Sequence, residues 1–213
     1  MSKQLRDLIK LGFASNARQL LEDGIDRRDI DTRDPGGRSA LHLAAEKHGC
    51  EGLLALLVAR GADLDARDRN GYAPLHAAVH QGSRKAVLEL LRLGAEVNAA
   101  ESKHAFTPLH MTAWLRLPEL ARDLLDAGAS LGALTASGQT PLHVAASWEA
   151  FEVARLLVER GADLDIRESD GKRPEDIRPG AEDFAALFHA ARAERAMGTL
   201  AQKAPGRQKH AGL

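Results

Sequence analysis

Apolar and polar positions along this chain fall into a two-part pattern that recurs over most of its length. A short stretch rich in leucine and alanine is followed, after a polar break, by a second stripe with apolar residues at helical spacing and then by a glycine. The clearest copy runs Gly138-Gln139-Thr140-Pro141-Leu142-His143-Val144-Ala145-Ala146. Gly138 suits a turn that needs positive φ, because it lacks the Cβ that makes this conformation costly. Thr140 stands where a helix N-cap belongs, with its hydroxyl able to accept from the backbone N–H of the third helical residue, His143. Pro141 then occupies the first helical position, where its missing N–H costs nothing and its fixed φ suits the helix. Leu142 opens a buried stripe, and Ala145 and Ala146 keep the helix thin enough for a neighbour to approach closely. A second helix is predicted from Phe151 to Arg160, with Val153, Leu156 and Leu157 on one face. Gly161 ends it as a left-handed cap.

The histidines equivalent to His143 are His42, His76 and His110, and the four are separated by 34, 34 and 33 residues. The helix-ending glycines Gly61, Gly94, Gly128 and Gly161 follow at 33, 34 and 33. A fixed period of this length around a Thr-Pro-Leu-His core marks a repeat architecture. On Ala73-Pro74-Leu75-His76, Thr107-Pro108-Leu109-His110 and Thr140-Pro141-Leu142-His143 the chain resembles the ankyrin-repeat family. Gly61-Ala62-Asp63-Leu64-Asp65, Gly94-Ala95-Glu96-Val97-Asn98 and Gly161-Ala162-Asp163-Leu164-Asp165 support it. The resemblance implies an all-α repeat solenoid of helix-turn-helix units joined by β-hairpin loops, with four full repeats between two capping repeats. Residues 1–37 are read as the N-terminal cap and a long loop, 38–171 as the four full repeats and 172–197 as the C-terminal cap. Residues 198–213 are read as a disordered basic tail.

The copies differ in ways that predict local structure. In the first cap Gly12 and Gly24 keep the repeat spacing, while Leu5, Leu8 and Ile9, then Ala17, Leu20 and Leu21, supply the two apolar faces. The connection from Ile25 to Gly37 is longer than its counterparts, and Asp26-Arg27-Arg28-Asp29 reads as a solvated loop. Ser39 keeps a cap but the proline is lost, and one residue is inserted near His48-Gly49-Cys50. Ala73 replaces the capping threonine, a loss of about 1 kcal/mol. The third hairpin, Asn98 to Phe106, carries an extra residue, and Ala105 stands where other copies have glycine. Pro118 falls near the start of the second helix in that repeat. Near the C-terminus Arg173-Pro174-Glu175-Asp176 keeps the proline but exchanges Leu-His for acids.

Composition narrows the functional classes. A net charge of −1 gives no global field for nucleic acid or an anionic membrane. The single cysteine, Cys50, excludes an internal disulfide and suggests no cysteine-built metal site. The N-terminus has an acid early and no following apolar run, unlike a signal peptide, and no run approaches transmembrane length. A soluble, cytoplasmic, monomeric protein is expected.

Candidate chemistry is sparse. In the family the four core histidines tie each hairpin to its neighbour. His76 and His80 lie four apart on one helix face, a zinc-compatible spacing that lacks a third ligand. No nucleophile sits on a catalytic motif and no glycine loop cradles phosphate, so neither enzymatic activity nor a cofactor is expected. Asn98 matches a hairpin asparagine that hydroxylases modify in some eukaryotic members.

The resemblance also implies a concave groove formed by hairpin tips and inner helices. Counting from each core histidine puts Arg38, Tyr72, Phe106 and Gln139 four residues before it. Glu46 and Lys47, His80 and Gln81, Trp114 and Leu115, and Ser147 and Trp148 stand four and five after. The tips add Arg33, Arg67, Arg69, Asn70, Lys103, His104, Ser137 and Lys172. The one tyrosine and both tryptophans fall on these positions, and aromatics outside the repeat's own core are interface candidates. Trp114 and Trp148 should be neighbours across the usual interhelix distance of about 10 Å. The partner-binding set is therefore Arg38, Arg67, Arg69, Tyr72, His80, Lys103, His104, Phe106, Trp114, Leu115, Gln139 and Trp148. The expected role is that of a protein–protein interaction scaffold. The alternative is a structural or self-regulated module whose C-terminal tail occupies the groove.

Overall fold

A computed structural model describes residues 2–203. Two ranks of helices run antiparallel along it. The inner rank is α1 (Ser2–Leu11), α4 (Ala40–Glu46), α6 (Pro74–His80), α8 (Pro108–Leu115) and α10 (Pro141–Ser147). The outer rank is α2 (Ala14–Glu22), α5 (Leu54–Ala59), α7 (Arg84–Arg92), α9 (Pro118–Asp126) and α11 (Phe151–Glu159). Each inner helix packs on the next inner helix and on its own outer partner. The core is accordingly a pair of ladders. Leu41, Leu75, Leu109 and Leu142 line the inner rank and Leu21, Leu57, Leu90, Leu124 and Leu157 the outer, all at most 1 % exposed. Burial of each such side chain stabilises the fold by roughly 2 kcal/mol, and no rung touches more than its neighbours, as in any solenoid.

Sequence explains where each inner helix begins. Ser39, Thr107 and Thr140 accept from the N–H of His42, His110 and His143 at 3.5, 3.4 and 3.4 Å. Ala73 makes no such bond, so α6 rests on Pro74 and on His76, whose Nδ1 accepts from the Ala73 N–H at 3.1 Å. Pro118 opens α9 as its first residue. The inserted residue near Gly49 is absorbed by a 3-10 turn, Glu51–Leu53, ahead of α5.

The segments between repeats project as fingers. Each closes on itself by a backbone bond, Asp68 N to Tyr72 O (2.9 Å) and Thr135 N to Gln139 O (2.9 Å) among them. Adjacent fingers are stitched by single bonds from Arg69 N to Gly36 O (3.0 Å), Ser102 N to Asn70 O (3.1 Å), Ala136 N to His104 O (2.8 Å) and Ser169 N to Ser137 O (3.0 Å). One bond per junction is too sparse for a ladder, and no strand is assigned among the described residues.

Three local expectations are revised. The charged stretch after Ile25 is not an open loop: α3 (Arg27–Ile30) forms a turn of helix there, anchored by Ile30 at 1 % exposure. The inner helix of the C-terminal cap shrinks to a 3-10 turn, Pro174–Asp176, whose Asp176 carboxylate accepts from the Arg173 N–H at 3.0 Å. The outer place after α11 is taken by α12 (Glu182–Lys203), held by Phe184 and Phe188 and by Arg195, which donates to Ala162 O at 2.7 Å. This helix passes the expected end of the cap at Met197, because alanine-rich sequence carries it over Gly198 at a cost of about 1 kcal/mol. The part of the expected tail from 204 to 213 lies outside the described residues.

Backbone strain collects in the third and fourth repeats. Ala105 has φ 57° at the position where the other fingers place Gly37, Gly71 and Gly138. Arg116 (φ 58°) and Glu149 (φ 54°) occupy the turn that Gly49 and Gly82 make between inner and outer helices. Left-handed conformation costs an L-residue about 1 kcal/mol or more. Ala105→Gly is therefore expected to stabilise the fold by about 1 kcal/mol and raise Tm by roughly 3 °C, as read by a thermal melt. An unchanged or lower Tm would show that no strain is stored there.

Candidate binding groove

The core histidines set the geometry of the groove wall. Nε2 of His42, His76, His110 and His143 lies 2.8, 3.2, 3.1 and 3.1 Å from the carbonyl oxygens of Tyr72, Phe106, Gln139 and Lys172. A carbonyl only accepts, so Nε2 carries the proton. Nδ1 receives the N-cap backbone N–H, as from Thr107 at 3.2 Å, and must be the acceptor. Each ring is thereby fixed as one neutral tautomer. Burial pushes all four below the ordinary histidine value of 6.5, against the raising effect of those carbonyls, and His76 and His110 fall to about 4. The bonds grip the residues four before the next histidine, so Tyr72, Phe106 and Gln139 are held at fixed height above the inner helices. Both nitrogens of His76 are engaged, which removes it as a partner for His80. Among the described residues no group of three or more His, Cys, Asp or Glu is placed to hold a metal ion.

Above the inner helices the aromatics converge. Trp114 and Trp148 meet edge to face with ring centroids 6.2 Å apart, closer than helix spacing alone suggests. Tyr72 tilts over His76 (5.4 Å) and Phe106 over His110 (5.5 Å). Tyr72, His104, Phe106, Trp114, Gln139 and Trp148, together with Glu101, Met111 and Thr135, line an open cleft of about 680 Å³. A smaller cleft of about 340 Å³ adjoins it, lined by Arg38, Asn70, His80 and the other side of Tyr72. Trp148 is 49 % exposed, while Tyr72, Phe106, Trp114 and Leu115 are half-buried against the core.

Other expected groove residues are occupied internally. Arg38 pairs with Asp34 (2.9 Å) and Glu46 (2.8 Å). Arg67 donates to Gly71 O (3.1 Å) and across to Ala100 O (3.0 Å), and pairs with Glu96 (3.1 Å). It is a staple between fingers. Arg33 makes the same reach to Gly37 O and Arg67 O. Gln139 donates to Glu168 at 2.8 Å. Arg69, Lys103 and His104 stand exposed on the tips. Asn98 accepts from the Ser130 N–H at 2.8 Å and so bridges repeats.

Glu101 was missed by reasoning from sequence. In the first two fingers an aspartate, Asp34 or Asp68, accepts from two backbone N–H groups of its own loop. The third loop is one residue longer, and the longer side chain of Glu101 accepts from the N–H groups of Lys103 (2.6 Å), His104 and Phe106 (3.3 Å). Burial alone would raise its carboxyl, but these three donors outweigh it and hold it below 4.5. An acid in register with Asp34 and Asp68, ahead of an inserted residue, is the signal that could have found it.

Comparison with known proteins adds to this geometry. A family model described as ankyrin repeats (three copies) matches residues 9–101 and 100–168. The chain belongs to the ankyrin-repeat family. Its structure is similar to the crystal structure of the ankyrin repeat domain of Bcl-3, described as a unique member of the IkappaB protein family. The TM-score is 0.77 at 27 % sequence identity, and the match covers 87 % of this chain and 81 % of that one. No curated protein matches the chain by sequence. Ankyrin repeats are in general protein–protein interaction modules. The two tryptophans of the aromatic cleft come from the third and fourth repeats alone, since the inner-helix ends of the first and second repeats carry Glu46, Lys47, His80 and Gln81.

Proposed function

We propose that this ankyrin protein is a non-enzymatic binding module that captures a partner protein in its concave groove, with Tyr72, Phe106, Trp114 and Trp148 as the contact centre. The observation that carries this reading is the convergence of four aromatics on one open cleft of about 680 Å³, although none of them is a residue the repeat needs for its caps, turns or leucine ladders. Large aromatics in a desolvating pocket dominate interface energies. The net charge of −1 supports a protein partner over nucleic acid.

Trp148→Ala tests it, because half of that side chain is already in water. The substitution is expected to leave Tm within about 2 °C, as surface changes do. It should weaken partner capture by about 30-fold, the hot-spot range, read by affinity purification from the native organism with wild-type and variant baits. Recovery of the same partners by the variant would sink the proposal. A cooperative loss of structure in the variant would do the same, by making Trp148 a core residue.

A further inference from the structure

We infer that the segment of the partner seated in this groove is an acidic peptide carrying a large apolar side chain. This rests on the groove being the binding surface and adds the chemistry of its occupant. The floor supplies the apolar half of the match: the exposed Trp148 and the partly buried Trp114 line the cleft together with Met111, which is itself buried. The charge of the rim supplies the other half. In the loops of the first three fingers Asp34, Asp68 and Glu101 turn inward to their own backbone, leaving Asp34 and Glu101 only 7 % and 4 % exposed. Of the cations in the same fingers, Arg69 and Lys103 turn outward. Both are exposed and form no ion pair among the described residues, and the Arg33 guanidinium bonds carbonyl oxygens of Gly37 and Arg67. The rim over the first three fingers is therefore positive where a ligand meets it, although the whole chain is nearly neutral. Asp170 is the counter-charge at the fifth tip, so the positive edge ends before it.

Complementary charge across an interface sets which partners dock and in what register. An extended peptide with its apolar side chain between the two tryptophans runs its flanking residues along that edge, where carboxylates are favoured. The same argument counts against the chain's own C-terminal residues as occupant, since Arg207 and Lys209 carry the sign of the rim.

The experiment is selection of random dodecapeptides displayed on phage against the full chain, with Trp148→Ala as the counter-selection. Peptides retained by the wild type alone are expected to be enriched in Asp and Glu around Leu, Phe or Trp. The double variant Arg69→Glu with Lys103→Glu, both on exposed tips, should bind a selected peptide about tenfold more weakly at unchanged Tm. Salt should weaken wild-type binding as the screening length contracts towards about 3 Å. Enrichment in Lys or Arg, or in uncharged sequences, overturns the inference while leaving the groove as the site. A synthetic peptide of residues 204–213 that displaces the selected peptides also overturns it. Retention that Trp148→Ala does not change removes the groove reading itself, and the inference with it.

Discussion

Lowering the pH from 6.5 towards 4 is expected to cost the repeat array several kcal/mol through its buried histidines. His76 and His110 titrate at about 4 when folded, against an ordinary value of 6.5. Burial is the main cause, because it penalises the imidazolium more than the Phe106 and Gln139 carbonyls favour it. A histidine depressed in this way is protonated in the unfolded chain first. Its stabilising contribution is complete above pH 6.5 and is lost as pH falls through the window down to about 4. One pKa unit corresponds to about 1.4 kcal/mol, so each of the two histidines withdraws roughly 3 kcal/mol across it. His42 and His143 shift in the same direction. The tautomer explains why the folded state resists: a proton on Nδ1 would face the N-cap N–H that this nitrogen accepts. A second loss begins lower, where Glu101 and Asp34 leave their ordinary values of 4.5 and 3.8. Their folded values are depressed as well, so that contribution is also present above those pH values and disappears below them. Thermal melts from pH 7.5 to 3.5 should show Tm falling in two stages. His110→Gln should be less stable at neutral pH and should show a shallower first stage. A Tm that stays flat down to pH 4 would mean that these histidines are protonated in the fold.

Most of this architecture can be read from the sequence because its determinants are local and periodic. Cap, proline, leucine and core histidine occur within four consecutive residues, and their recurrence places each repeat without any knowledge of long-range contacts. The same period serves as a ruler, and counting from His76, His110 and His143 lands on Tyr72, Phe106, Trp114, Gln139 and Trp148, all of which line one cleft. What counting misses depends on contacts a whole repeat apart. Arg33 and Arg67 have the look of free groove cations, yet each reaches a carbonyl 34 or 33 residues further on. Their recurrence one residue ahead of Asp34 and Asp68 is the clue to a structural staple, and Arg167 repeats it ahead of Glu168 by donating to Gly171 O. Arg116 and Glu149 were illegible for the opposite reason. Nothing in an arginine or a glutamate announces a left-handed turn, and only alignment with Gly49 and Gly82 shows what the backbone asks of them. Both pairs of clues concern the fingers and turns, where repeats touch, and not the helices, where each repeat specifies itself.

Gly71→Ala is expected to be the most damaging of the finger-glycine substitutions, at about 3 kcal/mol and roughly 10 °C in Tm. By sequence Gly37, Gly71 and Gly138 are equivalent, and all three adopt positive φ, 81°, 81° and 74°. The left-handed strain on an added Cβ is therefore nearly common to them, about 1 to 2 kcal/mol each. Their surroundings differ. At Gly71 the new methyl would overlap Ser102 Oγ and stand 2.5 Å from Ser102 N, a backbone atom that cannot rotate away. At Gly37 the nearest atom is Arg69 N at 2.8 Å, and at Gly138 it is Ser169 N at 3.4 Å, an ordinary contact. In each case the nearby nitrogen is the donor of the one backbone bond that stitches one finger to the next. The expected order of damage is Gly71, then Gly37, then Gly138, and Gly71→Ala should also push apart the second and third fingers. Tyr72 and Phe106 stand at the base of those fingers, so the variant should lose affinity for groove ligands beyond what its lower stability explains. Three melts and one binding isotherm decide it. Equal losses at all three positions would mean that positive φ is the whole cost and that the close passage of one finger over the next contributes nothing.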